Sequence, residues 1–127
     1  MNKQKLMESL IRSTRTLIEA WPQGIILNRP PEPVDDGAGG VRVPDGPDTQ
    51  LPVQTLYFAE SDAETDVERT TLAGTKVVIT HVLVGMPDAD MRENDWFVVG
   101  DKKFKIQYVL PDRDYQTKGE VTYEGRA

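Results

Sequence analysis

The stretch Thr75–Val109, TKVVITHVLVGMPDADMRENDWFVVGDKKFKIQYV, sets out three β-strands and a tight hairpin. Val77, Ile79, Val82 and Val84 belong to one β-branched run, Trp96 to Val99 form a second, and Phe104, Ile106 and Tyr108 alternate with polar residues in a third. Strict alternation of this kind places one face of a strand on a core and the other in water. Gly100-Asp101 supplies the turn between the last two runs. The pattern belongs to a mainly β scaffold, a small β-barrel or sandwich of about six antiparallel strands. It carries no side-chain set suited to catalysis.

Outward from that stretch, strands are expected at 75–84, 96–100 and 103–110, with further ones at 24–29 (GIILNR), 53–59 (VQTLYFA) and 119–124 (GEVTYE). Gly85 is a candidate kink at the end of the longest strand. A helix is expected over 3–21, where Leu6, Met7, Leu10, Ile11, Leu17, Ile18 and Trp21 recur at three- and four-residue spacing until Pro22 and Gly24 stop it. Such a helix packs either on its own barrel or on a neighbouring subunit. In the second case Leu6, Leu10, Leu17 and Trp21 form the interface.

Between the first two strands lies a projecting loop, 30–52. It holds Pro30, Pro31, Pro33, Pro44, Pro47 and Pro52 with Gly37, Gly39, Gly40 and Gly46. That density excludes a long regular element, although a brief pairing around Val41–Val43 fits. Long structureless loops within small domains are either functional or disordered, so this one is an interaction arm or filler. Its candidate contact residues are Asp35, Asp36, Gly37, Gly39, Gly40, Arg42, Asp45 and Asp48.

At 127 residues the chain reads as a single domain, 1–127, with appendages. Cysteine is absent, so disulfides, thiolate metal sites and thiol nucleophiles are excluded. No apolar run reaches the roughly 18 residues of a membrane span, and no secretory h-region opens the chain. A soluble product made in the cytoplasm is expected. The formal charge of −6 is unevenly spread: +3 over residues 1–29, −9 over 30–68 and zero over 69–127. The acidic middle disfavours docking on phosphates. Glu60, Asp62, Glu64, Asp66 and Glu68 alternate within it, either as a solvated loop or as an acidic rim facing a basic partner.

Candidates for chemistry are weak. His81 is the only histidine, set inside a valine-rich strand, where a structural role is expected. Asp88-Ala-Asp90, Asp112-Arg-Asp114 and Asp35-Asp36-Gly37 are fragments of calcium loops without the alternating ligands and closing Glu. Gly37-Ala-Gly39-Gly40 lacks the Lys-Ser/Thr of a phosphate cradle. Trp96, Phe104 and Tyr108 beside Lys102, Lys103 and Lys105 admit a base-stacking platform, but their alternation favours core aromatics. No enzyme, metal or cofactor is expected.

As an ordered set, IILNRP after a short helix, the loop PVDDGAGGV, the block KVVITHVLVGMPDADMRENDWFVVGDKKFKIQYVLPD and the closing GEVTYEGRA resemble the head-to-tail connector proteins of tailed bacteriophages. These are the head-closure, stopper, adaptor or joining proteins. The resemblance implies a homo-oligomeric ring, six- or twelve-fold, at the head-tail interface of a virion assembled in the host cytoplasm. It implies partners in the portal or adaptor above and in tail-tube or tail-terminator proteins below. Packaged DNA passes through the channel without sequence-specific binding, and no membrane is involved. The loop 30–52 then reaches toward the channel or a neighbour and helps retain DNA. Two alternatives stand beside this: another tail-tube-end or tail-completion ring protein, and an OB-like nucleic-acid-binding module.

Overall fold

The computed structural model describes residues 2–42, 44–61, 67–70, 76–111 and 114–127. An N-terminal helix α1 (Lys3–Ala20) leads into β1 (Gln23–Ile25) and β2 (Asn28–Arg29). The excursion that follows contains β3 (Val34–Asp35), β4 (Val41–Arg42) and β5 (Thr49–Gln50). The remaining strands are β6 (Gln54–Glu60), β7 (Val67–Thr70), β8 (Lys76–Ile79), β9 (His81–Gly85), β10 (Trp96–Val99), β11 (Lys102–Val109) and β12 (Thr117–Arg126).

Eight strands form one antiparallel sheet in the order β1-β6-β9-β12-β11-β10-β2-β5, while β3-β4 and β7-β8 are separate two-stranded ribbons. Chain connectivity forces the large sheet to curl. Six inter-strand steps separate β1 from β2, about 29 Å in a flat sheet. Only Ile26 and Leu27 link them in the chain, a reach of about 10 Å. The two ends of the sheet must therefore approach each other, giving a strongly curled half-barrel. Across the opening β1 lies against β10, and the Leu51 N–H, donating to the Leu27 carbonyl at 2.9 Å, continues the β2–β5 ladder.

The concave face holds Ile25, Leu27, Leu56, Leu83, Met91, Phe97, Phe104, Ile106 and Val121 as one buried cluster. Phe97 and Phe104 are directly opposed on β10 and β11 and stack with ring centroids 5.5 Å apart. Helix α1 packs on β6 and β9. It buries Thr14 and Ile18 and half-buries Met7, Leu10 and Ile11. Asn2 caps it by accepting the Lys5 N–H at 2.8 Å.

Mainly β architecture with an N-terminal helix is thus as expected, but several boundaries differ for local reasons. The run 24–29 is split, because residues 26–27 carry the chain from the edge strand β1 to β2, which lies next to the opposite edge. The long strand breaks at Thr80, not at Gly85. There the Thr80 N–H bonds Val121 O at 2.9 Å and its hydroxyl accepts the Tyr123 N–H at 3.1 Å, freeing β8 to pair with β7. Gly85 instead ends β9 in close packing: a Cβ there would lie 2.6 Å from that of Ala89 and 2.8 Å from Leu56 Cδ2.

The expected alternation in β11 also fails at its end. Ile106 opposes Val121 while Tyr108 opposes Glu120, so Gln107 is an extra residue and Tyr108 is turned outward to solvent. Trp96 lies on the outer face as well, opposite to Phe97, and is half-buried. Of the three aromatics expected in the core only Phe104 is there. In the acidic run, β6 extends to Glu60 and β7 covers Glu68, replacing a continuous loop with paired backbone at both ends. Asp62, Glu64 and Asp66 lie outside the described residues, as do Val43, Thr75, Asp112 and Arg113.

Candidate functional site

The loop 30–52 is built as an arm with two fixed feet and a tied tip. At the outgoing foot, Arg29 makes a two-pronged pair with Asp95, Nε to Oδ1 at 3.0 Å and Nη2 to Oδ2 at 2.8 Å. Arg29 also reaches Asp90 Oδ1 at 2.9 Å. Asp95 is fully buried, and its Oδ2 takes the Arg92 backbone N–H at 2.9 Å. The guanidinium holds the Asp90 carboxyl below the usual carboxylate range, and the bond to Asp95 raises the Arg29 pKa above its ordinary value. One residue set thereby fastens β2 to the connector that precedes β10. A second pair, Arg92 with Glu32, holds the arm a little further out.

The connector is itself held in place. The Gln54 side chain donates to Asp90 O at 2.9 Å and accepts from Asp90 N at 2.8 Å. Asn94, at φ 74, donates its N–H to Ile106 O at 2.8 Å, and the Ile106 N–H returns to Asp95 O at 2.8 Å. At the return foot, β5 pairs with β2 through Asn28↔Gln50 and Arg29↔Thr49. Trp96 Nε1 donates to Asp48 Oδ2 at 2.6 Å, and Lys103 Nζ sits 4.5 Å from the centroid of the Trp96 ring.

The tip is a hairpin, Val34↔Arg42 and Asp35↔Val41. Asp36 Oδ1 accepts the N–H groups of Ala38 and Gly40 at 2.8 and 3.0 Å, and Asp35 Oδ1 accepts that of Gly37 at 2.9 Å. Gly37 and Gly39 sit at φ 81 and 85, where a side chain is strained. At Gly40 a Cβ would meet Asp36 Oδ2 at 2.6 Å, so that the tying carboxylate would have to move. These aspartates are occupied with their own backbone, which explains the Asp-Asp-Gly spacing without a cation. Among the described residues no three metal-ligating side chains converge.

The expected contact residues therefore separate into roles. Asp35, Asp36, Gly37, Gly39 and Gly40 build the exposed tip, with Arg42 on its return strand; Asp48 anchors the arm; Asp45 is exposed. The sequence reading missed Arg29 and Asp95 and took Asp90 only as part of a calcium-loop fragment; some 60 residues separate Arg29 from the two aspartates, and no local pattern announces that they act together.

On the helix, Leu6, Leu17 and Trp21 remain exposed, Trp21 at 71 %, with Leu10 half-buried beside them. The four lie along one flank, next to the line Met7, Ile11, Thr14 and Ile18 that packs inward. Ile26 and Val53, exposed where the strands leave their Ile25↔Gln54 pair, add to the apolar surface left by the fold.

His81 is part of an aromatic group. Its ring stacks on Phe58 with centroids 5.1 Å apart, meets Phe104 edge-on at 4.8 Å, and has Nδ1 2.7 Å from Thr80 Oγ1. No helix is long and apolar enough to cross a membrane among the described residues.

No family model matches the chain and no curated protein matches it. Among solved structures it is similar to the phage-like element PBSX protein xkdH from Bacillus subtilis. That likeness has 18 % identity, covers 82 % of this chain and 93 % of that one, and has a TM-score of 0.43.

Proposed function

We propose that the chain is a structural subunit of a tailed-phage particle, a head-to-tail connector of the stopper or head-closure kind that works as a homo-oligomeric ring and not as an enzyme. The observation that carries this reading is the anchored arm. An excursion fixed at both feet by Arg29–Asp95 and Asp48–Trp96, and tied at its tip by Asp36, is held out for contact and is not filler. The exposed helix flank, Leu6, Leu17 and Trp21, adds a second contact element, apolar surface that the fold's own core leaves uncovered. Both features suit a subunit that meets several neighbours, and the ordered motifs of the sequence resemble those of connector proteins. In such a ring the acidic arm reaches toward the DNA channel, where it repels phosphates, or toward a neighbouring subunit.

The test is native mass spectrometry of the purified chain, alone and with the adaptor and tail proteins of the same particle. A ring, or a ring that forms on addition of either partner, is expected. A monomer that binds neither would refute the reading. Labelled particles imaged by cryo-electron microscopy separate head closure from tail completion by position. An OB-like module is disfavoured by Trp96, whose indole N–H is taken by Asp48 and whose ring is covered by Lys103. That alternative predicts salt-sensitive single-strand binding that falls on replacing Lys102, Lys103 and Lys105.

A further inference from the structure

We infer that the β3–β4 hairpin at the arm's tip docks on the outer face of the β10–β11 ribbon of the next copy; this rests on the ring reading above and names the surfaces that meet. Residues directly opposed across antiparallel strands share a face. On the hairpin, Asp35 and Val41 are opposed, and Val41 is 72 % exposed. On the ribbon, Val98 and Lys103 are opposed, and Val98 is 43 % exposed. The Trp96↔Lys105 pair extends that same outer face, while Phe97 and Phe104 fill the inner one. Each surface thus offers a valine beside a charge, and the charges have opposite sign.

The complementarity extends past these pairs. Residues 30–50 carry five acids against Arg42 alone, whereas 96–105 carry Lys102, Lys103 and Lys105 against Asp101 alone. Within one copy an acid of the arm already meets this face, since Asp48 accepts the indole N–H of the Trp96 whose ring Lys103 covers. Hairpin on ribbon joins two different patches, so the contact is head-to-tail and propagates from copy to copy until rotation closes it. The arm's fixed feet and tied tip leave little disorder to be lost on docking.

The chain has no cysteine, so a pair can be introduced against a silent background. Val41→Cys and Val98→Cys replace exposed side chains and leave the core intact. Oxidised protein carrying both is expected to run as a ladder of covalent multimers, and an equimolar mixture of the two single variants as covalent dimers. Absence of cross-links in a protein that native mass spectrometry counts as a ring would overturn the docking and leave the ring standing. A cross-link confined within one chain, or equal dimer yields from either single variant alone, would overturn it too. A monomer under every condition would remove the ring reading and this inference together. Charge reversal gives an independent readout: Lys103→Glu or Asp35→Lys alone should weaken association on the order of tenfold, and combining them should restore it. Association unchanged by either single reversal would refute the contact.

Discussion

Replacing Asp95 by alanine tests the anchoring of the arm where the structure concentrates it. The Asp95 side chain is 0 % exposed and that of Arg29 is 13 % exposed, with Nη2 to Oδ2 at 2.8 Å. Asp95→Ala removes the acceptors for two guanidinium bonds and for the Arg92 N–H, and leaves Arg29 facing Asp90 alone. Breaking a buried pair from one side costs about 3–5 kcal/mol. The surviving contact with the exposed Asp90 argues for the lower end, about 3 kcal/mol. At about 2.1 cal/mol/K of unfolding entropy per residue, that loss lowers Tm by about 11 °C for a chain of this length. Urea unfolding followed by circular dichroism gives the free energy, and a double-mutant cycle with Arg29→Leu isolates the pair. Removing both charges should cost less than the sum of the single changes by about 2 kcal/mol. A single-variant loss below about 1 kcal/mol, the range of a surface pair, would refute the claim that this pair is buried and fastens β2 to the connector.

Other outcomes follow from the same geometry. Because Asp90 has a depressed carboxyl pKa in the fold, its contribution is complete above the unfolded value of about 3.9 and is lost as pH falls through the lower folded value. Asp90→Asn should therefore flatten the acid decline of the urea midpoint below about pH 4, and an unchanged decline would exclude Asp90 from the anchor. Phe97→Ala, in the fully buried cluster, should cost about 3–5 kcal/mol in chemical unfolding. Trp96→Ala on the outer face should cost distinctly less, and equal losses would contradict the assignment of faces. Gly85→Ala should destabilise by about 1–3 kcal/mol through overpacking against Ala89 and Leu56, read as a lowered Tm. Asp36→Ala should leave global unfolding within about 0.5 kcal/mol while raising amide hydrogen exchange at Ala38 and Gly40, whose N–H groups it accepts.

The strands were legible where the period-2 signal is local. Phe104 and Ile106 point inward as their alternation requires, and the helix ends within a residue of where Pro22 stops it. The signal failed where geometry depends on a distant partner. Tyr108 is turned outward by a bulge that exists only because β11 pairs with β12, and Thr80 breaks a continuous β-branched run because its hydroxyl, in place of a backbone carbonyl, accepts an N–H of β12. Trp96 followed a misleading cue: large aromatics are usually core, but two successive aromatics on one strand must face opposite ways, and Phe97 holds the inner side. For the arm, composition marked its extent and its Asp-Gly tip. No local pattern joined Arg29 to Asp90 and Asp95, and β5 is too short to stand out from its proline-rich surroundings.

The pairing of β2 with β5 brings the entry and the exit of the arm side by side, Arg29 opposite Thr49. Apart from Glu32 on Arg92 and Asp48 on Trp96, the chain between them hangs from a zipped neck, so the half-barrel registers little of how much chain the neck encloses. Doubling such an enclosed segment costs only about 0.6 kcal/mol of closure entropy. Residues 33–47 are in that sense an exchangeable cassette: related chains are free to vary its length and chemistry to suit different neighbours, and grafting a foreign hairpin there should retarget the subunit without refolding it.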